Sequence, residues 1–177
     1  MIAGCSTSGT AGPGVTSDAG TLAVSASDST SPRPSDEASA HAAEQEAETA
    51  YVAMWHDMAQ AGTTSDWTSP KLAEHATGDA LSVMSRALYA DYRNGLVSKG
   101  APRNQPEVTS ALPSAQPTTV MISDCGDSTH WLQYRKDNGK RADDTPGGRR
   151  SITAEVKRLD DGTWKVTRFA VERLGSC

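Results

Sequence analysis

Aromatic residues make up only 5% of the 177-residue chain, with a single Phe, and hydrophobic residues only 36%. Both shares are low for an ordinary domain, whose apolar fraction is about 45–50% when glycine is counted too. No apolar run reaches the roughly 18 residues of a spanning helix, which excludes one within this stretch of chain. Basic residues are not in excess either. Lys and Arg number 17 against 22 Asp and Glu, giving a net charge of −5 and a pI near 5.3. That balance excludes the basic footprint of a nucleic-acid binder. The four His are scattered and form no metal-ligand spacing. Gly-x-Ser-x-Gly, Walker-type and dinucleotide-type glycine motifs are missing, so no cofactor is expected.

The apolar deficit is concentrated at one end. Of the first 40 residues, 29 are Ala, Gly, Ser, Thr or Pro, a composition that buries too little surface to offset the entropy of ordering. Residues 1–40 are therefore expected to hold a disordered spacer, with residues 6 to about 38 unstructured and Pro32 and Pro34 stiffening the second half. A single domain is expected over 41–177, long enough for a real core.

At the head of the spacer, Met1-Ile2-Ala3-Gly4-Cys5 resembles the bacterial lipobox, in which small residues admit the signal peptidase and the Cys takes a diacylglycerol. A signal also needs a basic region and an apolar stretch of about 7–15 residues. Neither precedes Ile2. Lipidation of Cys5 is thus expected once that signal is restored, the gene starting further upstream or the chain having been shortened. The expected location is outside the cytoplasm, anchored to the outer face of the membrane. With Cys5 assigned, Cys125 and Cys177 remain. In an oxidising envelope two such residues read as one disulfide, two unrelated thiols being the alternative.

The domain starts with helices. Residues 41–61 carry Tyr51, Met54, Trp55, Met58 and Ala61 at helical spacing, with Glu44, Gln45, Glu46 and Glu48 in the early turns and Gly62 as a stop. Ser69-Pro70 opens a short helix to about Ala76. A third helix puts Leu81, Met84, Leu88 and Tyr92 on one stripe and ends at Asn94-Gly95. After Gly100 the period changes. Val108, Ser110 and Leu112 alternate, as do Val120, Ile122 and Asp124, and residues 130–135 form a third strand. A polar stretch over 136–148 reads as a long hairpin loop. Strands over 149–159 and 163–174 flank Asp160-Asp161-Gly162, a strong turn signal. Three helices and then four or five antiparallel strands define an α+β order.

This order resembles the nuclear-transport-factor-2-like cone fold, in which a curved antiparallel sheet wraps around N-terminal helices. Thr77-Gly78-Asp79-Ala80-Leu81, Ser123-Asp124-Cys125-Gly126-Asp127 with Trp131, and the ending Gly175-Ser176-Cys177 add, with the lipobox, a likeness to secreted actinobacterial lipoproteins. That likeness implies a Cys125–Cys177 bridge pinning the last strand to mid-sheet.

Enzymes of the cone fold place an acid or a His in a deep apolar pocket, where desolvation raises a carboxyl pKa. The candidates for such a role are His56, at the edge of the buried stripe, Asp57, off the stripe and expected in solvent, and His130 beside Trp131. Tyr51, Trp55, Tyr92 and Trp131 are the candidate pocket lining. The glutamates at 37, 44, 46 and 48 read as a solvated helix face. Arg135, Lys136, Lys140, Arg141, Arg149 and Arg150, mixed with Asp137, Asp143 and Asp144, read as a solvated hairpin; the sharper reading is a contact surface for anionic headgroups, wall polymer or protein. The expected function is that of a noncatalytic envelope lipoprotein binding a small apolar ligand or a protein partner. The alternatives are an extracytoplasmic subunit of a conjugative secretion machine and a pocket enzyme of isomerase or dehydratase type.

Overall fold

The structure, a computed structural model, describes residues 34–142 and 147–177. Cys5 and most of the expected spacer lie outside the described residues. Three helices come first: α1 Pro34–Gly62, α2 Leu72–His75 and α3 Gly78–Arg93. Six strands follow: β1 Leu96–Lys99, β2 Glu107–Leu112, β3 Thr119–Asp127, β4 Leu132–Arg135, β5 Arg149–Arg158 and β6 Trp164–Val171. The order β2-β3-β5-β6 makes a four-stranded curved antiparallel sheet, while β1 and β4 form a separate two-stranded ribbon. The chain is thus α+β, with helices laid on one face of the sheet as the element order predicts.

The helices and the inner face of the sheet enclose one core. From α1 come Tyr51, Met54 and Trp55, from α3 Met84 and Leu88, and from the sheet Val120, Ile122, Ile152, Val156 and Val166. Alternation along β3 buries Val120, Ile122 and Asp124 as expected. The Asp160-Asp161-Gly162 turn joins β5 to β6: Leu159 N donates to Thr163 O at 2.8 Å, and Gly162 supplies φ +83°.

Four features depart from the sequence reading. Helix α1 starts at Pro34, inside the stretch expected to be unstructured. Proline suits a first turn, and Asp36 and Glu37 face the positive end of the dipole there. Ser69 does not cap the short helix, whose N-cap Lys71 makes no side-chain hydrogen bond. In β2 a register shift between Val108 and Ser110 reverses the phase of the strand. Val108 and Ala111 are then half-buried and Leu112 is 61% exposed, against the expected alternation. Finally, β4 pairs with β1 and not with β5; the chain after β4 folds back on it, with Tyr134 bridged to Arg141 and Arg135 N donating to Lys140 O at 2.8 Å, so β4 and β5 are not the two arms of one long hairpin.

Cys125 on β3 is bonded to Cys177, with Cα atoms 5.9 Å apart. The bridge crosses the register of β5, where Cys125 opposes Ser151. Two hydrogen bonds hold the same end: Gly175 N donates to Arg149 O at 2.8 Å, and Ser151 N to Ser176 Oγ at 2.8 Å.

Candidate functional site

Between α1, α3 and the sheet lies a cavity of about 430 Å³. That volume falls within the roughly 300–1,000 Å³ of small-molecule sites. Its walls are mostly apolar. Helix α1 contributes Trp55 and Met58, α3 contributes Val83, Ala87 and Leu88, and the sheet contributes Ile152 from β5 with Phe169 and Val171 from β6. Trp131, just before β4, closes another side. The rings meet edge to face, Trp55 to Phe169 at 5.3 Å and Trp55 to Trp131 at 6.3 Å between centroids. The indole N–H groups of both Trp55 and Trp131 are buried without a hydrogen-bond partner among the described residues.

Polar groups enter the lining at few points. Asp91 on α3 accepts from Gln133 Nε2 at 2.8 Å. Burial raises its pKa above the usual carboxylate value, and the Gln133 hydrogen bond pulls it partly back. Asn104, Ser98 and Ser128 add neutral groups, and Arg141 and Arg150 add charge. Gly126 on β3 keeps the floor open: a Cβ there would stand 2.7 Å from Ile152 Cδ1.

Behind the lining, Asp124 is buried and fully engaged. Tyr51 Oη donates to its Oδ2 at 2.8 Å, Asn104 Nδ2 to the same oxygen at 2.6 Å, and Gln105 N to Oδ1 at 2.8 Å. Desolvation first, and the Asp124 charge second, push the Tyr51 hydroxyl far above its ordinary pKa. Three donors on one carboxylate make a brace that ties α1 and the 104–105 segment to β3. Tyr51 therefore sits under the cavity and is not among its lining residues.

Trp55 and Trp131 line the cavity as expected. Tyr92 does not: it is 54% exposed. The cause is helical phase. At about 100° per residue, Asp91 lies within about 20° of Ala80, while Tyr92 is about 120° away. His56 is exposed and its Nε2 lies 3.3 Å from Gln60 Nε2. His130 is exposed too. Asp57 corrects the expectation of a solvated side chain, because it is 6% exposed. Helix α2 packs over that flank of α1, and His75 Nδ1 donates to Asp57 Oδ2 at 2.7 Å. Asp57, Glu74 and His75 bring one ligand-type atom each within 4.8 Å of one another. The hydrogen bond already occupies Asp57, and the pair acts as a clamp between α1 and α2.

Sequence reasoning missed Asp91, Asn104, Gln133, Arg141 and Arg150 as lining. Only Arg150 carried a signal, since it shares parity with Ile152 on β5. Glu46, assigned to a solvated face, accepts from Trp164 Nε1 at 2.8 Å.

Fold and cavity together define a class: an α+β domain whose helices close a curved sheet over an apolar pocket. No protein-family model matches the chain, and a search of curated proteins finds no match. Among solved structures, the chain is similar to the intermembrane space region of the chloroplast protein ARC6, at 21% identity and TM-score 0.39, over 75% of this chain and 95% of that one. It is also similar to a ketosteroid isomerase-like protein from Erwinia carotovora atroseptica, at 13% identity and TM-score 0.48, over 72% and 93% of the two chains.

Proposed function

We propose that this domain is a noncatalytic binding module of the cell envelope, of the secreted actinobacterial lipoprotein type, and that it takes a small apolar ligand between its helices and its sheet. The observation that carries this reading is the cavity of about 430 Å³ walled by Trp55, Met58, Trp131, Ile152 and Phe169. An apolar pocket with a few polar groups is the common form of a small-molecule site. The placement of His56, Asp57 and His130 favours binding over isomerase or dehydratase chemistry, since none of the three is among the lining residues. Of the acids at the pocket, Asp91 in the lining is held by Gln133, and Asp124 behind it already accepts three hydrogen bonds. The envelope location rests on the lipobox-like Met1–Cys5 segment, and the Cys125–Cys177 bridge agrees with an oxidising compartment.

The test is binding of the neutral fluorophore N-phenyl-1-naphthylamine. Its emission should rise on addition of the protein and saturate at one equivalent. Ala87 is an exposed residue at the cavity wall, so Ala87→Trp should abolish most of that rise while leaving the melting temperature unchanged. An Ala87→Trp variant that binds the probe like the parent would place binding elsewhere and defeat the reading.

A further inference from the structure

Arg150 is an unusual residue for the inner face of a sheet. On β5 it shares parity with Ile152 and Ala154, both buried in the core, and it lines the cavity. Its partner in register on β3 is Gly126, which has no side chain to cover it. Its hydrogen bond is long, Nη1 to Glu172 O at 3.5 Å, and no ion pair reaches it among the described residues. Arg141 is a second guanidinium on the lining. Among the described residues the lining carries one carboxylate, Asp91, which is already held by Gln133. A half-buried guanidinium without a carboxylate is costly, and an anion that presents two oxygens to it removes that cost.

We infer that the ligand is an amphiphile with an anionic end, a medium-chain carboxylate, whose chain lies against Trp55, Trp131 and Phe169 while its head pairs with Arg150. This inference rests on the reading of the cavity as a ligand site and adds the sign of the ligand's charge. It also gives part of the basic 135–150 cluster a role inside the domain.

The experiment titrates the full chain with decanoate, decan-1-ol and decyltrimethylammonium, following tryptophan emission and heat of binding. Decanoate should bind about tenfold to a hundredfold more tightly than the alcohol, the range of a charged hydrogen-bonded contact, and the cation most weakly. Arg150→Gln should erase the preference for decanoate, and its melting temperature reports an intact fold. Arg150→Lys should keep part of the preference. Equal binding of acid and alcohol, a preference for the cation, or a preference that survives Arg150→Gln would overturn the inference and leave the apolar site standing. Failure of all three probes to bind would remove the site reading itself, and this inference with it.

Discussion

Burial makes Asp91 a destabilising charge at neutral pH. Its folded-state pKa lies above the ordinary value of 3.8, with desolvation the larger cause and the Gln133 hydrogen bond opposing it. In the pH window between the unfolded and folded values, the folded state binds more protons. Stability from this group is therefore present at low pH and is lost as pH rises through that window. Asp91→Asn keeps an oxygen for Gln133 and removes the charge. The variant should melt above the parent at pH 7, and the gap should close by pH 3, where the parent carboxyl is protonated. Paired melting curves at the two pH values check this; a lower melting temperature for the variant at pH 7 would show that the carboxylate is needed. Such residues were hard to read from sequence because their environment comes from elsewhere in the chain. Gln133 is 42 positions from Asp91, and Asn104 is 20 from Asp124. Trp55 was legible because it shares helical spacing with Tyr51, Met54 and Met58.

Elements were more legible than residues, because helical and strand periods are local. The two longer helices, the β3 alternation and the Asp-Asp-Gly turn all follow from spacing. The β1–β4 ribbon did not, since Leu96–Lys99 is four residues long and its partner is more than thirty positions away. The bulge in β2 likewise has no signature in its sequence. At this scale the disulfide matters most, since it fastens the segment after β6 to β3 across β5. It closes a separation of 52 residues, worth about 4 kcal/mol in the chain-entropy model. The double variant Cys125→Ala/Cys177→Ala should lose stability of that order in urea denaturation, with the midpoint falling and the slope rising, since the denatured chain without its cross-link exposes more surface. A loss under about 1 kcal/mol would mean that the hydrogen bonds of Gly175 and Ser176 hold the terminus unaided.

The whole molecule combines an acidic chain with an expected anchor at Cys5, and the two pull in opposite senses at a membrane. A net charge of −5 is repelled by anionic lipid, and no described helix is long and apolar enough to cross a bilayer. On the lipobox reading, the attachment comes from lipid. A diacylglycerol brings two acyl chains, and at about 0.8 kcal/mol per buried methylene they outweigh the repulsion of the chain by a wide margin. Expressed behind an export signal, the protein should partition into the detergent phase and incorporate a fatty-acid analogue. Cys5→Ala should release it to the aqueous phase or stall its processing, with no label. The same change leaves Cys125, Cys177 and the cavity untouched, so probe binding by the released protein should match that of the anchored one. If parent and Cys5→Ala both stay membrane-bound and unlabelled, the resemblance of Met1–Cys5 to a lipobox is coincidental and the envelope location loses its main support. In that event the pocket reading stands on its own, because the described lining comes from residues 55 to 171.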